Sequence, residues 1–213
     1  ASSIQAFVDS GGILNVADAL VTGYDFFIDG AKQSETSLGN LLLKEPASLY
    51  SASGDAFAWD LQALRCNLLG SIDGDDSCVS PDINNVNAHY THYGALTAWG
   101  FETGHYDDYL SSQKISDDGA GLSDSLNYTV GCHSGLSVPD GSAFVDELLD
   151  ANLDLPQAYA RHNAIHVGST GFGLGETEGI GGTEKLMALF SDELTNGDTV
   201  GQALIRAKQK YIN

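Results

Sequence analysis

Residues 19–24, ALVTGY, form a short and nearly continuous apolar stretch, closed by the Asp and Gly of the DFFIDG that follows. A strand with one wet face alternates apolar and polar side chains, whereas an unbroken run is dry on both faces. This segment is therefore expected to be a central strand of a parallel sheet covered by helices. The chain supplies candidates for that cover. Leu38, Leu41 and Leu42 recur at helical spacing within residues 31–43, where Pro46 stops the run, and Leu61, Leu64 and Leu68 repeat the pattern within 57–69. Ser142 to Asn152 reads as an amphipathic helix. Thr183 is placed to cap a helix ending near Gly197, and Thr199 with Gln202 makes a T-x-x-Q capping box for a last helix carrying Ala203, Leu204, Ala207 and Tyr211.

Strand signals alternate with these helices. In INNVNAHYTHYGALTAWG, Ile83 and Val86 mark a short strand running into a loop, although its Asn-rich start is poor by propensity. LNYTVGCHSG reads as a strand followed by a sharp turn bracketed by Gly131 and Gly135, and NAIHVGST, from Asn163 to Thr170, as a third strand. Asp73 to Asp82 reads as a surface loop, Asp107 to Ser125 as an exposed connection rich in Asp, Ser and Gly, and Gly171 to Gly182 as a Gly-rich loop. The pattern predicts a three-layer α/β sandwich, one domain over residues 1–213, with a mainly parallel central sheet flanked by helices and its sites at the carboxyl ends of strands.

Charge narrows the function. The 29 Asp and Glu stand against 9 Lys and Arg, a formal charge of −20 that protonating all six His would bring only to −14. A phosphate backbone or an anionic lipid surface is repelled by such a chain, so neither nucleic acid nor membrane is expected as a partner. Bound Ca²⁺ and peptides carrying Lys or Arg remain open, and the sequence does not give an oligomeric state. No run of 18 apolar residues occurs, and the opening ASSIQAFVDSGG has no basic segment, so neither a membrane span nor a signal peptide is expected within these residues, a signal already removed being compatible with them. Three cysteines leave at least one unpaired within the chain. Cys66 and Cys78 share the segment RCNLLGSIDGDDSCVSP and are the natural pair, closing a loop of about 12 residues worth about 3 kcal/mol. Such a bridge implies a secreted or extracytoplasmic setting; two unlinked thiols are the alternative.

The third cysteine lies where chemistry is expected. His89 and His92 follow one strand, Cys132 and His133 another, and in a parallel sheet both strand ends share an edge. An imidazole and a thiol 43 residues apart can then meet as a Cys/His dyad, in which a neighbouring imidazolium raises the thiolate fraction of a thiol whose ordinary pKa is about 8.5. A buried structural Cys beside surface histidines is the plain alternative. His89-x-x-His92 with His105 and Cys132 or His133 is a zinc candidate without a complete ligand signature. GFGLGETEG has the look of a phosphate cradle, but Glu176 and Glu178 give it the wrong charge, so a rim loop beside the site is expected. Asp73, Asp75 and Ser77 have the D-x-D-x-S start of a Ca²⁺ loop, with Cys78 where its Gly belongs, so Ca²⁺ there is incidental and no cofactor is required.

VGCHSGLSV resembles the nucleophile turn of the caspase-like cysteine peptidases (caspases, legumains, separases, gingipains), with Gly131, Cys132 and Gly135 at the matching places. NAHYTHYGALTAW is similar to the segment that brings their catalytic His after a small residue, here Ala88 and His89. The gingipain-type branch is most similar, over ALVTGYDFFIDGA, both motifs, AIHVGSTGFG and GQALIRAKQKY, nearly the whole chain. The order, His first and Cys later, is that of the family, where caspases separate the two by about 50 residues.

The resemblance implies a cysteine endopeptidase in which Cys132 attacks the scissile carbonyl and His89, or His92 as the alternative base, protonates the leaving amine. The backbone N–H groups of Cys132 and Tyr90 would form the oxyanion hole. That branch also implies an acidic residue under the substrate's basic side chain, for which Glu176 and then Asp25 are the candidates. Where the family has Gly after the catalytic His this chain has Tyr90, which motivates the alternative of a catalytically silent binding or scaffold module; a His-ligated metal hydrolase is the third reading.

Overall fold

The structure, a computed structural model, describes residues 14–70, 77–138, 153–197 and 199–213. β1 (Ala19–Tyr24) is buried at all six positions. Its side chains still divide by period two: Leu20 and Tyr24 enter one apolar core, Ala19 and Val21 the other. β1 pairs in parallel with β2 (Ala47–Ser51) on one side and β3 (Ile83–Val86) on the other, β3 pairs with β7 (Leu126–Tyr128), and β7 with β8 (Ile165–Val167). The central sheet is thus a five-stranded parallel one of order β2-β1-β3-β7-β8.

Helices cover both faces. Against one lie α1 (Ile28–Leu42), α6 (Gly182–Leu194) and α7 (Val200–Ile212), which bury Ala31, Leu38, Met187, Phe190, Ala203 and Ala207 beside Val21 and Ile83. The other face receives α2 (Leu61–Leu64, continued by a π-turn over Arg65–Leu69), α3 (Ala98–Thr103), α4 (Ser112–Asp118) and α5 (Leu155–Arg161), together with a small antiparallel sheet of β4 (Tyr90–Thr91), β5 (Gly94–Leu96) and β6 (Tyr109–Ser111). The Thr199–Gln202 capping box is present at the start of α7.

Several expectations are corrected. Residues 89–96 form a hairpin, not a loop, and 107–125 is no exposed connection: it holds β6 and α4, with Leu110, Ile115 and Leu122 fully buried, each such side chain contributing about 1.5–3 kcal/mol. The helix expected over 57–69 starts only at Leu61, because the Asp60 side chain accepts the Ala63 N–H as an N-cap. Thr183 does not cap α6: Gly181 holds the cap position and the Thr183 hydroxyl accepts the Leu174 N–H. The amphipathic helix expected over Ser142–Asn152 lies outside the described residues. β3 overcomes its propensity through its own side chains, since Asn84 Nδ2 donates to the Pro81 carbonyl and Asn85 Nδ2 to the Tyr128 carbonyl.

Candidate active site

In a sheet of this order the strand sequence reverses between β1 and β3, and in open α/β sheets sites lie beyond the carboxyl ends of the strands at such a switch point. Asp25 is the first residue after β1 and His89 follows β3 by three residues. Asp25 adopts a left-handed conformation, φ 54°, which Asp tolerates better than most residues. Its Oδ2 lies 3.1 Å from His89 Nε2, with both side chains about one-third exposed (32% each). An Nε2–H donated to that carboxylate leaves Nδ1 as the basic nitrogen of the neutral ring. Aromatic rings fix the imidazole plane: Phe101 is stacked at 4.7 Å, and Phe27, Phe26 and Tyr24 stand edge-on at 5.3, 5.6 and 5.6 Å.

Tyr90 begins the hairpin in ordinary strand conformation, so this chain needs no glycine after His89. Leu96 N–H donates to the His89 carbonyl at 2.8 Å while Tyr90 faces Ala95. That makes Tyr90–Ala95 a non-hydrogen-bonded pair, with the Tyr90 amide turned away from β5. The phenol reaches back to donate to the Val86 carbonyl at 3.1 Å, and the ring covers Gly131, where a Cβ would stand 2.0 Å from Tyr90 Cδ2. The turn after β3 and the turn after β7 are thereby locked together.

Cys132 is the free cysteine, half-buried at the head of the second turn. The Gly-rich loop passes directly over it: Gly173 N–H donates to Sγ at 3.3 Å, and Sγ lies 3.5 Å from the Gly173 carbonyl. His133 is left-handed, φ 55°, and its N–H donates to the Gly171 carbonyl at 2.7 Å, while its ring meets Phe172 at 4.7 Å. Ser134 Oγ donates to the Gly131 carbonyl at 2.8 Å, and His166 Nε2 donates to the Ser134 carbonyl at 2.8 Å. Burial pushes the His166 imidazole down to about 4, keeping it neutral.

The remaining candidates stand elsewhere. His92 lies towards His133 and Asp154; burial first, then His133, push its pKa down, and Asp154 opposes them. Its carbonyl accepts the Leu155 N–H at 2.8 Å, and its ring meets Tyr93 rather than Asp25. His105 stacks on Trp99 at 4.8 Å near the surface, so the histidines do not gather, and no group of three His, Cys, Asp or Glu able to hold a metal ion occurs among the described residues. Glu176 is exposed on the Gly-rich loop with its carboxyl against Gly181. Asp73 and Asp75 lie outside the described residues, while Cys66 and Cys78 form the disulfide, Cα to Cα 4.6 Å. No described helix is long and apolar enough to cross a membrane.

Sequence reasoning missed Glu184. It is 2% exposed, its Oε1 accepts the Gly30 N–H at 2.7 Å, and a Cβ on Gly30 would fall 2.2 Å from its Cγ. Burial pushes its carboxyl pKa up, against the backbone bonds it accepts. The group ties the start of α6 to the first turn of α1, immediately after the Asp25 segment. An acid in the first turn of a helix is so ordinary that the sequence carries no signal of this role. Compared with known proteins, the chain matches no family model, no curated protein and no solved structure.

Proposed function

We propose that the chain is a cysteine endopeptidase of the caspase-like, gingipain-type kind that its motifs resemble, cleaving after a basic residue. One observation carries this reading: the Asp25–His89 bond at the sheet's switch point, with Tyr90 seated on Gly131 so that the free Cys132 heads the adjoining turn. Asp25 holds the imidazole by Nε2 and so frees Nδ1 for proton transfer. The Cys132 thiol gives its proton to that nitrogen; the thiolate attacks the scissile carbonyl carbon, and the carbonyl π pair moves onto oxygen. The N–H groups of Cys132 and Tyr90 receive that oxyanion, each worth roughly 3 kcal/mol. Collapse breaks the C–N bond as the His89 imidazolium protonates the departing amine. Water, deprotonated by His89, then hydrolyses the thioester and restores the thiol.

With Asp25 engaged by His89, Glu176 is the carboxylate left to meet a Lys or Arg side chain at the rim, and the surplus of Asp and Glu favours encounter with cationic peptides. A silent binding module is the second reading, favoured by the Gly173 backbone that lies on Cys132 Sγ. Fluorogenic peptides varied before the scissile bond, assayed with reductant and Ca²⁺, decide between them. Expected is turnover after Arg and Lys that one equivalent of iodoacetamide at Cys132 abolishes. Full alkylation of Cys132 with no peptide ever cleaved rejects the peptidase. Preference for Arg that survives high salt assigns it to a carboxylate contact; preference that fades assigns it to the field of the whole chain.

A further inference from the structure

Beneath the Asp25–His89 pair lies a hydroxyl that the mechanism does not use. Tyr24 is fully buried, and its ring is packed by Trp59 and Phe101, each at 5.4 Å, and by Phe27 at 6.1 Å. A phenylalanine would fill that space equally well. Burying a hydroxyl is unfavourable unless it is bonded, so its partners identify its use. Tyr24 Oη accepts the His89 N–H at 2.9 Å and donates to the Leu96 carbonyl at 2.9 Å, while Leu96 N–H returns to the His89 carbonyl at 2.8 Å. Both backbone groups of His89 are thus pinned in one closed circuit.

The ladder explains why side chains are needed. Pairing of β1 with β3 ends at Thr22 opposite Val86, so nothing in the sheet holds residues 87–89. Beyond that point β1 grips the segment with alternate side chains of one face. Thr22 takes Asn87, whose N–H donates to Thr22 Oγ1 at 3.1 Å and whose Nδ2 donates to the Thr22 carbonyl at 3.1 Å; two residues on, Tyr24 takes His89. Asp25, next in the chain, takes the ring.

We propose that Tyr24 is a positioning residue whose hydroxyl sets the His89 backbone, and with it the approach of the imidazole to Asp25 and the direction of the Tyr90 amide. Its consequence for turnover rests on the peptidase reading; its consequence for His89 does not. The test compares Tyr24→Phe with Tyr128→Phe, which removes an equally buried hydroxyl, bonded to Ser191, from the opposite core. Expected for Y24F is a 10- to 100-fold fall in kcat (about 1.4–2.8 kcal/mol) with KM within about twofold, and a shifted midpoint in the NMR titration of the His89 ring. Y128F should match wild type in both while losing comparable thermal stability. In the wild-type chain the His89 amide, although beyond the ladder, should exchange with solvent as slowly as the amides of β1. Equal kcat and equal His89 titration in Y24F and Y128F overturn the proposal, and so does rapid exchange of the His89 amide, a reading that needs no variant to fold. If the wild type cleaves no peptide the peptidase reading falls, and the titration and exchange still decide the role of Tyr24.

Discussion

The two edges of the central sheet are built from the same strands and differ in kind. At the amino edge, side chains and loops extend the ladder: Ala17 N–H donates to Asp82 Oδ2 at 2.6 Å, Asp82 N–H to Asp18 Oδ1 at 3.0 Å, and Leu126 N–H to the Asp82 carbonyl at 2.8 Å. The Cys66–Cys78 bridge ties α2 to the segment leading into β3, and Arg65 pairs with Asp118 at 2.8 Å. Nothing among these groups is a nucleophile or a poised base. At the carboxyl edge stand an imidazole one-third exposed, its carboxylate and a free thiol, held by contacts so close that Gly131 admits no Cβ. The fold secures one edge with a disulfide, an ion pair and Asp side chains that take backbone N–H groups, and places its imidazole and free thiol at the other.

Variants test that division, and the largest effect belongs to the carboxyl edge. Cys132→Ala should lower peptide turnover to background, a fall of roughly 10⁶-fold, while its denaturation midpoint stays within about 1 kcal/mol of wild type. Retained turnover would move the chemistry away from this edge. Asp25→Asn keeps a residue that tolerates the left-handed backbone but loses the carboxylate charge that faces His89 Nε2; kcat should drop by on the order of 10⁴-fold, with circular dichroism unchanged.

The converse change is at the other edge. Replacing both Cys66 and Cys78 by Ser should cost about 3 kcal/mol in urea unfolding and leave kcat/KM unchanged at temperatures where the variant is folded. Loss of activity in the folded variant would break the division. Acid is a subtler probe. His166 binds its proton near pH 4 when folded and near 6.5 when unfolded, so its contribution to stability is complete above about 6.5 and is lost as pH falls towards 4. Glu184, raised by burial, acts in the opposite sense. The measurement is therefore the difference in melts between wild type and His166→Gln across this range, in which the stability of wild type relative to the variant should fall as pH drops from about 6.5 towards 4. Smallest of all, Arg65→Met should change stability by no more than about 1 kcal/mol, because both partners of that pair are nearly one-third exposed (32% and 31%).

What the sequence made legible follows the length of the signal. β1 was readable because six consecutive buried residues leave no polar face, and the cap of α7 because Thr199 and Gln202 act within one turn. The hairpin β4–β5 was not, since strands of two and three residues rest on tertiary partners rather than on propensity. Leu110, Ile115 and Leu122 are too sparse among polar neighbours to announce β6, α4 and the turn that follows. A readable signal was overlooked at α5, where Asp154 caps and Pro156 stands in the first turn. At the candidate site, His89 and Cys132 were legible from local motifs. The bond between Asp25 and His89 joins residues 64 apart, and only the pairing of β1 with β3 creates it.

That pairing also sets a time at which the site can exist. Asp25, His89, Cys132 and Gly173 come from the ends of four different strands, each joined to the next by a long crossover. During synthesis the residues of β1 and β3 are complete well before those that lie over Cys132, and no fragment ending before the Gly-rich loop contains the full arrangement. Parallel strands close slowly because distant segments must meet before any pairing stabilises them. A growing chain accordingly carries its thiol before the residues that lie over it have been made, and the four strand ends can meet only once the Gly-rich loop exists.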